Sequence, residues 1–235
     1  MAIYKRVLLK ISGEAIGGSG NEVLDFDVIS RICCVIKRCL DAGVQIGIVI
    51  GGGNIWRGAK DGADKMDRTR AVHMGMLATA INCLALADAL EKTGAEVRVQ
   101  TAIEMRPLAE PYVRLRAISH LAKGRVVIFG CGTGSPFFST DTAAVLRGAE
   151  ICADIVLLAK NVDGVYTDDP RTNPGARKYD ELTPGDFLRD NLAAMDATAA
   201  SLSRDNKLPV LLFALSDPEN IYRAVMGEKV GTLVR

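Results

Sequence analysis

A chain of 235 residues, 49% of them hydrophobic, is long enough to enclose one large domain or two small ones, and no linker is visible in it. Its 29 basic and 28 acidic residues leave a net charge of +1, which excludes a chain-wide electrostatic footprint for nucleic acid or an anionic membrane, though not a local basic site. No apolar run is expected to reach the length of a membrane span, since even Ala78 to Leu90 is interrupted by Asn82 and Asp88.

In chain order, Met1-Ala2-Ile3-Tyr4-Lys5-Arg6 leads without a signal-peptide pattern into a β-rich run, Val7, Leu8, Leu9 and Ile11. That run carries Lys10 near its end and breaks at Ser12-Gly13-Glu14. A lysine at the tip of a buried strand is poorly placed for solubility alone; it reads either as a functional cation or as an edge residue with its head in water. The Gly17-Gly18-Ser19-Gly20 loop follows. From Asp27 the residues Ile29, Ile32, Cys33, Ile36, Cys39 and Leu40 keep helical rhythm, with Asp27 as the candidate N-cap and Gly43 as the stop.

The six cysteines form no C-x-x-C pair or metal spacing and read as reduced core residues, which favours the cytoplasm. The apolar run Val44 to Ile50 then stops at Gly51-Gly52-Gly53-Asn54, with Arg57 close behind. The resulting strand, helix, strand order predicts a parallel βαβ unit with a right-handed crossover. Three glycines in a row either let backbone N–H groups approach an anion, in conformations closed to other residues, or make a plain flexible connection. The stretch Gly58 to Lys65 is polar and loop-like.

A long helix follows on Met74, Leu77, Ala78, Ile81, Leu84 and Ala85, ending near Leu90. His73 and His120 are the only histidines and have no ligand cluster in sequence, so a structural or solvent-facing role is expected of them. Strands at Val97 to Thr101 and Val126 to Gly130 flank a helix around Tyr112 to Lys123. The second of these strands runs into Cys131-Gly132-Thr133-Gly134-Ser135-Pro136-Phe137-Phe138-Ser139-Thr140-Asp141 and a helix over Thr142 to Ile151. Small residues, hydroxyls, two aromatic rings and a helix N-terminus in one turn suit a nucleotide. Capping by Ser139, Thr140 or Asp141 with both phenylalanines in the core is the alternative, and the two are compatible.

A strand at Ile155 to Ala159 ends at Lys160-Asn161-Val162-Asp163-Gly164-Val165-Tyr166, with Asp169-Pro170 beyond. Helices at Pro184 to Leu188, Ala193 to Asn206 and Pro218 to Met226, with strands at Val210 to Ala214 and Thr232 to Val234, complete the pattern. Repeated alternation predicts an α/β fold with an open, mostly parallel sheet covered on both faces, binding its ligands beyond the carboxyl ends of the strands. Lys10, Gly51 to Gly53, Thr133 to Asp141 and Lys160 to Asp169 all fall at such ends, which resolves the glycine triplet in favour of a phosphorylated ligand. The chain has neither G-x-x-x-x-G-K-[ST] nor a G-x-G-x-x-G after its first strand, which weighs against a P-loop enzyme and a dinucleotide oxidoreductase.

Lys10 to Glu14, Gly51 to Asn54 with Arg57, His73-Met74-Gly75-Met76-Leu77-Ala78-Thr79, Gly132 to Asp141, Val162 to Tyr166 with Asp169-Pro170, Met195-Asp196, and Met226-Gly227-Glu228-Lys229 with Gly231-Thr232 together resemble the bacterial UMP kinases, the uridylate kinase branch of the amino acid kinase superfamily. The likeness runs essentially end to end. It implies a single domain over residues 1–235, a three-layer αβα sandwich, and transfer of the ATP γ-phosphoryl to UMP with Mg²⁺ in pyrimidine nucleotide synthesis. It also implies a homohexamer with UTP as feedback inhibitor, with no nucleic-acid or membrane partner.

By the same resemblance, Lys10, Ile11, Ser12, Gly13, Gly53, Arg57, Lys160, Asn161, Tyr166 and Asp169 contact ATP. Gly52, Val72, Thr133, Gly134, Ser135, Pro136, Phe137, Phe138, Ser139 and Thr140 occupy UMP-binding positions. Lys10 and Arg57 are the expected stabilisers of transferring charge, with Asp141 and Asp196 orienting Lys10 or Mg²⁺; capping of the following helix is the plainer role for Asp196. No side chain is assigned as a metal ligand. The chain departs from the family where Val72 replaces a usual aspartate that contacts the UMP ribose, implying weaker UMP binding. It departs again at Ser135 for asparagine, at Lys160 for threonine, and over Gly18 to Val23, where the pattern for GTP activation is missing. Two alternatives stay open. An amino acid kinase forming an acyl phosphate fits Phe137-Phe138 poorly, and a nucleotide sensor without turnover fits poorly with Lys10, Arg57, Asp141 and Asp196 retained together.

Overall fold

A computed structural model describes residues 2–18, 22–57, 66–192 and 194–235. Residues 19–21 lie outside, so half of the predicted Gly17 to Gly20 loop and half of the Gly18 to Val23 segment are described; the polar stretch 58–65 and position 193 also lie outside.

Strand and helix alternate as the periodicities require. The strands are β1 (Arg6–Ile11), β2 (Gln45–Ile50), β3 (Val97–Thr101), β4 (Glu110–Pro111), β5 (Val126–Gly130), β6 (Ile155–Lys160), β7 (Glu181–Leu182), β8 (Val210–Ala214) and β9 (Thr232–Val234). The described α-helices are α1 (Phe26–Asp41), α2 (Arg68–Lys92), α3 (Arg114–Ala122), α4 (Thr140–Glu150), α5 (Pro184–Arg189), α6 (Ala197–Asn206) and α7 (Glu219–Met226), with a 3₁₀ turn at Gly13–Ile16. All nine strands join one sheet in the order β4-β3-β5-β2-β1-β6-β8-β9-β7. Every pairing is parallel except β8 with β9, so the mostly parallel α/β sheet expected from the sequence is what forms.

Period two along the strands makes two cores, one on each face. Val7, Leu9 and Ile11 of β1, Ile46, Ile48 and Ile50 of β2, and Ile155, Leu157 and Ala159 of β6 face one layer, with Ile32 and Ile36 of α1, Leu86 of α2 and Ile221 of α7. Leu8, Val49, Val156 and Leu158 face the other, with Leu121 of α3, Ala143 and Ala144 of α4, Phe187 of α5 and Ala199 of α6. Burying each large aliphatic or aromatic side chain contributes about 1.5–3 kcal/mol. Parity also decides where two charges go: Lys10 follows Leu8, and Lys160 follows Val156 and Leu158, so both lysines point to the α4 face. The small residues Ala143, Ala144 and Gly148 let α4 lie close on that face; a Cβ on Gly148 would meet Val156 at 2.8 Å.

Several boundaries differ from expectation, each for a local reason. The N-cap of α1 is Asp25, whose carboxylate accepts from the amides of Asp27 and Val28 at 3.0 Å each, so Asp27 lies in the first turn. Helix α2 begins at Arg68, capped by Asp67. Helix α6 begins at Ala197, because Asp196 caps it, and not at Ala193. The two-residue strands β4 and β7 are too short to leave a period. At 25 residues α2 is long and apolar enough, by length and composition, to cross a bilayer, contrary to the expectation that no such segment exists. One face of it packs on the core, with Thr79 and Asn82 buried and hydrogen-bonded to the loops beyond β5 and β2. Four of the six cysteines are buried, with burial pushing the thiols of Cys33 and Cys39 up to about 12, whereas Cys34 and Cys152 are at the surface and not in the core.

Candidate active site

The four loops singled out by sequence leave β5, β2, β1 and β6, which are consecutive and parallel in the sheet, so their carboxyl ends converge. At the centre lies Asp141 in the first turn of α4. Its Oδ1 is 3.0 Å from Lys10 Nζ in an ion pair without a well-aligned hydrogen bond, and its Oδ2 accepts from Lys160 Nζ. Lys160 also donates to the Ala194 carbonyl at 2.6 Å, on the segment leading into α6. Lys10 is 6% and Asp141 8% exposed, so the cluster is largely shielded from water.

Burial would raise the Asp141 carboxyl, but Lys10 and Lys160 beside it outweigh that and hold it below its ordinary value. Burial lowers the Lys160 ammonium, and Lys10 adds to this, against the opposing pull of Asp141. Both shifts act on stability in the same direction. The contribution of Asp141 is complete above the unfolded carboxyl value of about 3.9 and is lost as pH falls through its lower folded value. Lys160, with a folded value below its unfolded value of about 10.4, makes stability rise with pH between the two. Urea midpoints measured against pH should therefore fall on the acid side, and Asp141→Asn should flatten that limb; an unchanged acid limb would contradict the assignment.

The glycine triplet is tight. A Cβ on Gly13 would lie 2.5 Å from the Gly51 carbonyl, and one on Gly52 would lie 2.8 Å from Ala78 Cβ and 2.9 Å from the Gly75 carbonyl. None of Gly51, Gly52 and Gly53 has a positive φ, so the expectation of conformations closed to other residues is corrected: close packing, not backbone freedom, demands glycine here. Asn82 of α2 locks the triplet, donating to Gly51 O and Asn54 Oδ1 at 2.7 Å each.

Arg57 Nε donates to Gly53 O at 3.1 Å and its guanidinium pairs with Glu14 at 2.6 Å. The other oxygen of Glu14 accepts from Asn161 at 3.2 Å. Glu14 thus joins the loops after β2 and β6. The sequence offered it only as part of a motif, since one exposed glutamate after a strand carries no signal of its own.

Two cavities lie at this edge of the sheet, one lined by Lys10 and the other by Thr140, the residue before Asp141. One, of 610 Å³, is lined by Lys10, Ser12, Lys160, Asn161, Tyr166 and Asp169 among others. Tyr166 donates to Asp163 at 2.9 Å, Asp169 pairs with Arg171 at 2.9 Å, and Thr232 of β9 accepts from Val165 N at 2.9 Å, which fixes the Asp163-Gly164 turn to the sheet. The other, of 320 Å³, is lined by Gly52, Gly53, Trp56, Val72, Phe138 and Thr140 among others. A larger groove of 720 Å³ between α1 and α2 contains none of the predicted site residues. Ile11, Gly13, Gly53 and Arg57 do not line the first cavity; Ile11 is in the core, and Gly53 lines the second cavity.

In the turn before α4, Ser139 is the cap: its Oγ accepts from Asp141 N at 3.0 Å and Thr142 N at 3.1 Å. Phe137 and Phe138 are 60% and 49% exposed, so the capping alternative holds for Ser139 but the core alternative does not hold for the rings. Phe137 takes a φ of +72°, a costly conformation for a bulky residue, and the Arg68 guanidinium stands 5.2 Å over its ring. Thr133 Oγ1 accepts from Ser135 N at 3.1 Å, closing the tip, and Gly134 with a φ of +83° makes the bend. Pro136 is half-buried between that tip and the two rings.

Asp196 ties this turn to α6. It accepts from Ser139 Oγ, from Thr142 Oγ1 at 2.9 Å and from Ala199 N at 2.9 Å. Asp141 thus faces two lysines and Asp196 accepts from three donors. Among the described residues no three His, Cys, Asp or Glu side chains converge. His73 is exposed, and His120 lies 3.3 Å from Glu110, away from the site.

The amino acid kinase family model matches residues 5–215. Among solved structures, a UMP kinase from Bacillus anthracis is similar with a TM-score of 0.95 and 43% identity, covering 99% of this chain and 96% of that one. A UMP kinase from Ureaplasma parvum reaches 0.92 at 37% identity, covering 98% of each chain. A uridylate kinase from Archaeoglobus fulgidus reaches 0.77 at 28% identity, covering 97% of this chain and 99% of that one.

Proposed function

This chain belongs to the amino acid kinase family, and from that premise we propose that it is a UMP kinase, moving the γ-phosphoryl of ATP to UMP to give UDP and ADP for pyrimidine nucleotide synthesis. The observation that carries the reading is the cavity lined by Lys10 and Lys160, both paired with Asp141, beside a second cavity lined by Gly52, Gly53 and Thr140, the residue before Asp141. The larger takes ATP, between Lys160, Asn161, Tyr166 and Asp169. The smaller takes UMP, with its phosphate at Gly52 and its base toward Phe138. The acceptor phosphate is already ionised at neutral pH, so no general base is required; transfer between two anions needs alignment and charge neutralisation.

Lys10, Lys160 and Arg57 supply positive charge, and the glycine amides supply donors fixed before the reaction begins. Asp141 positions the two lysines. Asp196 positions the acceptor turn through Ser139. Mg²⁺ enters as part of the MgATP substrate, held by phosphate oxygens, as this donor-poor set of side chains suits. UTP carries the base and sugar of the acceptor and the triphosphate of the donor, so it would compete in the same cleft. The free thiols suit the reducing cytoplasm.

Assembly into a homohexamer is supported by α2, which exposes Met74, Leu77, Ile81 and Leu84 in one stripe, Leu77 and Ile81 being 50% exposed. Leu77→Glu combined with Ile81→Glu should lower the sedimenting mass; an unchanged oligomer would remove this face from the interface. The activity itself is tested by ADP release with MgATP and a panel of UMP, CMP, dTMP, acetylglutamate and aspartate. Turnover with UMP is expected, and turnover with an amino acid alone would overturn the reading.

A further inference from the structure

The turn that follows β5 begins in a conformation that needs support. Cys131 and Gly132 take φ values of +64° and +58°, two consecutive left-handed residues, and Gly132 lines the smaller cavity together with Phe138, Ser139 and Thr140. A left-handed residue other than glycine is strained and persists only where its surroundings hold it. Two hydrogen bonds from outside the turn do so: Thr79 Oγ1 of α2 accepts from Cys131 N at 2.8 Å, and Arg147 Nη2 of α4 donates to the Gly132 carbonyl at 3.3 Å. The far end of the turn is held separately, by Ser139 on Asp196.

Arg147 is itself tightly placed. It is 4% exposed, its Nη1 donates to Glu150 Oε2 at 2.6 Å, and its guanidinium lies 3.8 Å over the Tyr112 ring. The same oxygen of Glu150 accepts from the Tyr112 hydroxyl at 2.5 Å, and the Glu150 carbonyl accepts from Arg114 Nε at 2.5 Å. Tyr112 in turn meets Phe129 of β5 edge to face, with 5.6 Å between ring centroids. Arginine binds through a rigid planar fork, so fixing one nitrogen on Glu150 and one face on Tyr112 also fixes the direction of the nitrogen that meets Gly132. Balancing the charge of Glu150 would occupy one end of the guanidinium. The other end reaches the turn.

We propose that Arg147 is a positioning residue for phosphoryl transfer: it lines neither cavity, and through the Gly132 carbonyl it holds the turn that presents the acceptor. This rests on the kinase reading above, which gives the smaller cavity to UMP. The two cavities share no lining residue, so loosening the turn disturbs the acceptor and leaves the ATP side in place. Misplacing a reacting group by about 1 Å costs about 10²-fold in rate, and a fraction of that shift costs about tenfold.

The test is steady-state kinetics with MgATP and UMP, with a urea midpoint for each protein, in the native chain, Arg147→Lys and Tyr112→Phe. Arg147→Lys keeps a cation for Glu150, but one ammonium cannot hold Glu150 and Gly132 and lie along Tyr112 at once. It should keep its urea midpoint near native while kcat/KM for UMP falls about tenfold and the ATP KM stays within about twofold. Tyr112→Phe keeps the ring and removes one hydrogen bond from Glu150, so it should shift UMP kinetics the same way by about threefold. A folded Arg147→Lys with native UMP kinetics, or with UMP and ATP affected alike, would overturn the positioning role and leave the kinase reading standing. If Arg147→Lys does not fold, Tyr112→Phe decides, and native UMP kinetics there would overturn the role. A native protein that does not turn over UMP would overturn both readings.

Discussion

Lys10→Met should lower kcat by about 10³-fold while leaving the protein folded, and Asp141→Ala should do the reverse in emphasis, destabilising the fold first. Both residues belong to one cluster, but the charge left behind differs. Without the Lys10 ammonium, Asp141 still pairs with Lys160, and methionine keeps most of the buried stem volume. What disappears is a preorganised cation at the transferring phosphoryl, and losing one such group typically costs 10²–10³ in rate, about 3–4 kcal/mol in the barrier. Without the Asp141 carboxylate, two ammoniums stay together, largely buried, with no anion between them. Breaking a buried pair in this way costs about 3–5 kcal/mol, a large share of the stability of a typical domain. ADP release and urea denaturation on the same preparations separate the two effects. Lys10→Met with activity within tenfold of native, or Asp141→Ala with an unchanged urea midpoint, would show that the cluster has been misread.

The sequence made the sheet legible because each central strand is a mostly apolar run followed closely by glycine or lysine, and α1 because its apolar stripe is regular. The convergence of four loops was legible because parallel α/β sheets put all carboxyl ends on one edge. The links across that edge were not. Glu14 joining Arg57 to Asn161, Asp196 tying Ser139 to α6, and Lys160 sharing Asp141 with Lys10 join residues far apart in the chain, and no local pattern encodes such pairings. The motif marked Asp196 without saying what it holds. The triplet follows β2 as its apolar run predicts, but its packing was not legible, since neither φ at a glycine nor the approach of α2 can be read from its neighbours. The start of α2 was placed late because its first turn is polar, and its cap, Asp67, follows a stretch without a period.

Gly52→Ala should cut kcat/KM about 10²-fold, whereas Gly53→Ala should leave stability within about 0.5 kcal/mol of native. The two positions are adjacent, and the packing around them differs. A Cβ at Gly52 would meet Ala78 Cβ at 2.8 Å, the Gly75 carbonyl at 2.9 Å and Thr79 N at 3.1 Å, two of them backbone atoms of α2 that have no rotamer with which to yield. At Gly53 the nearest atoms, on the flexible Glu14 side chain, are 3.5 Å away, an ordinary contact. Relief at Gly52 therefore requires the loop to lift from the helix, at about 1–3 kcal/mol of overpacking, and the loop carries the amides assigned to the acceptor phosphate. A displacement of about 1 Å in a reacting group is enough for a hundredfold loss. The loss should appear in kcat more than in ATP KM, because the donor cavity is built from the loops after β1 and β6. Equal effects at Gly52 and Gly53 would mean that the triplet acts through ligand contact alone and that its packing against α2 does not set the geometry of transfer.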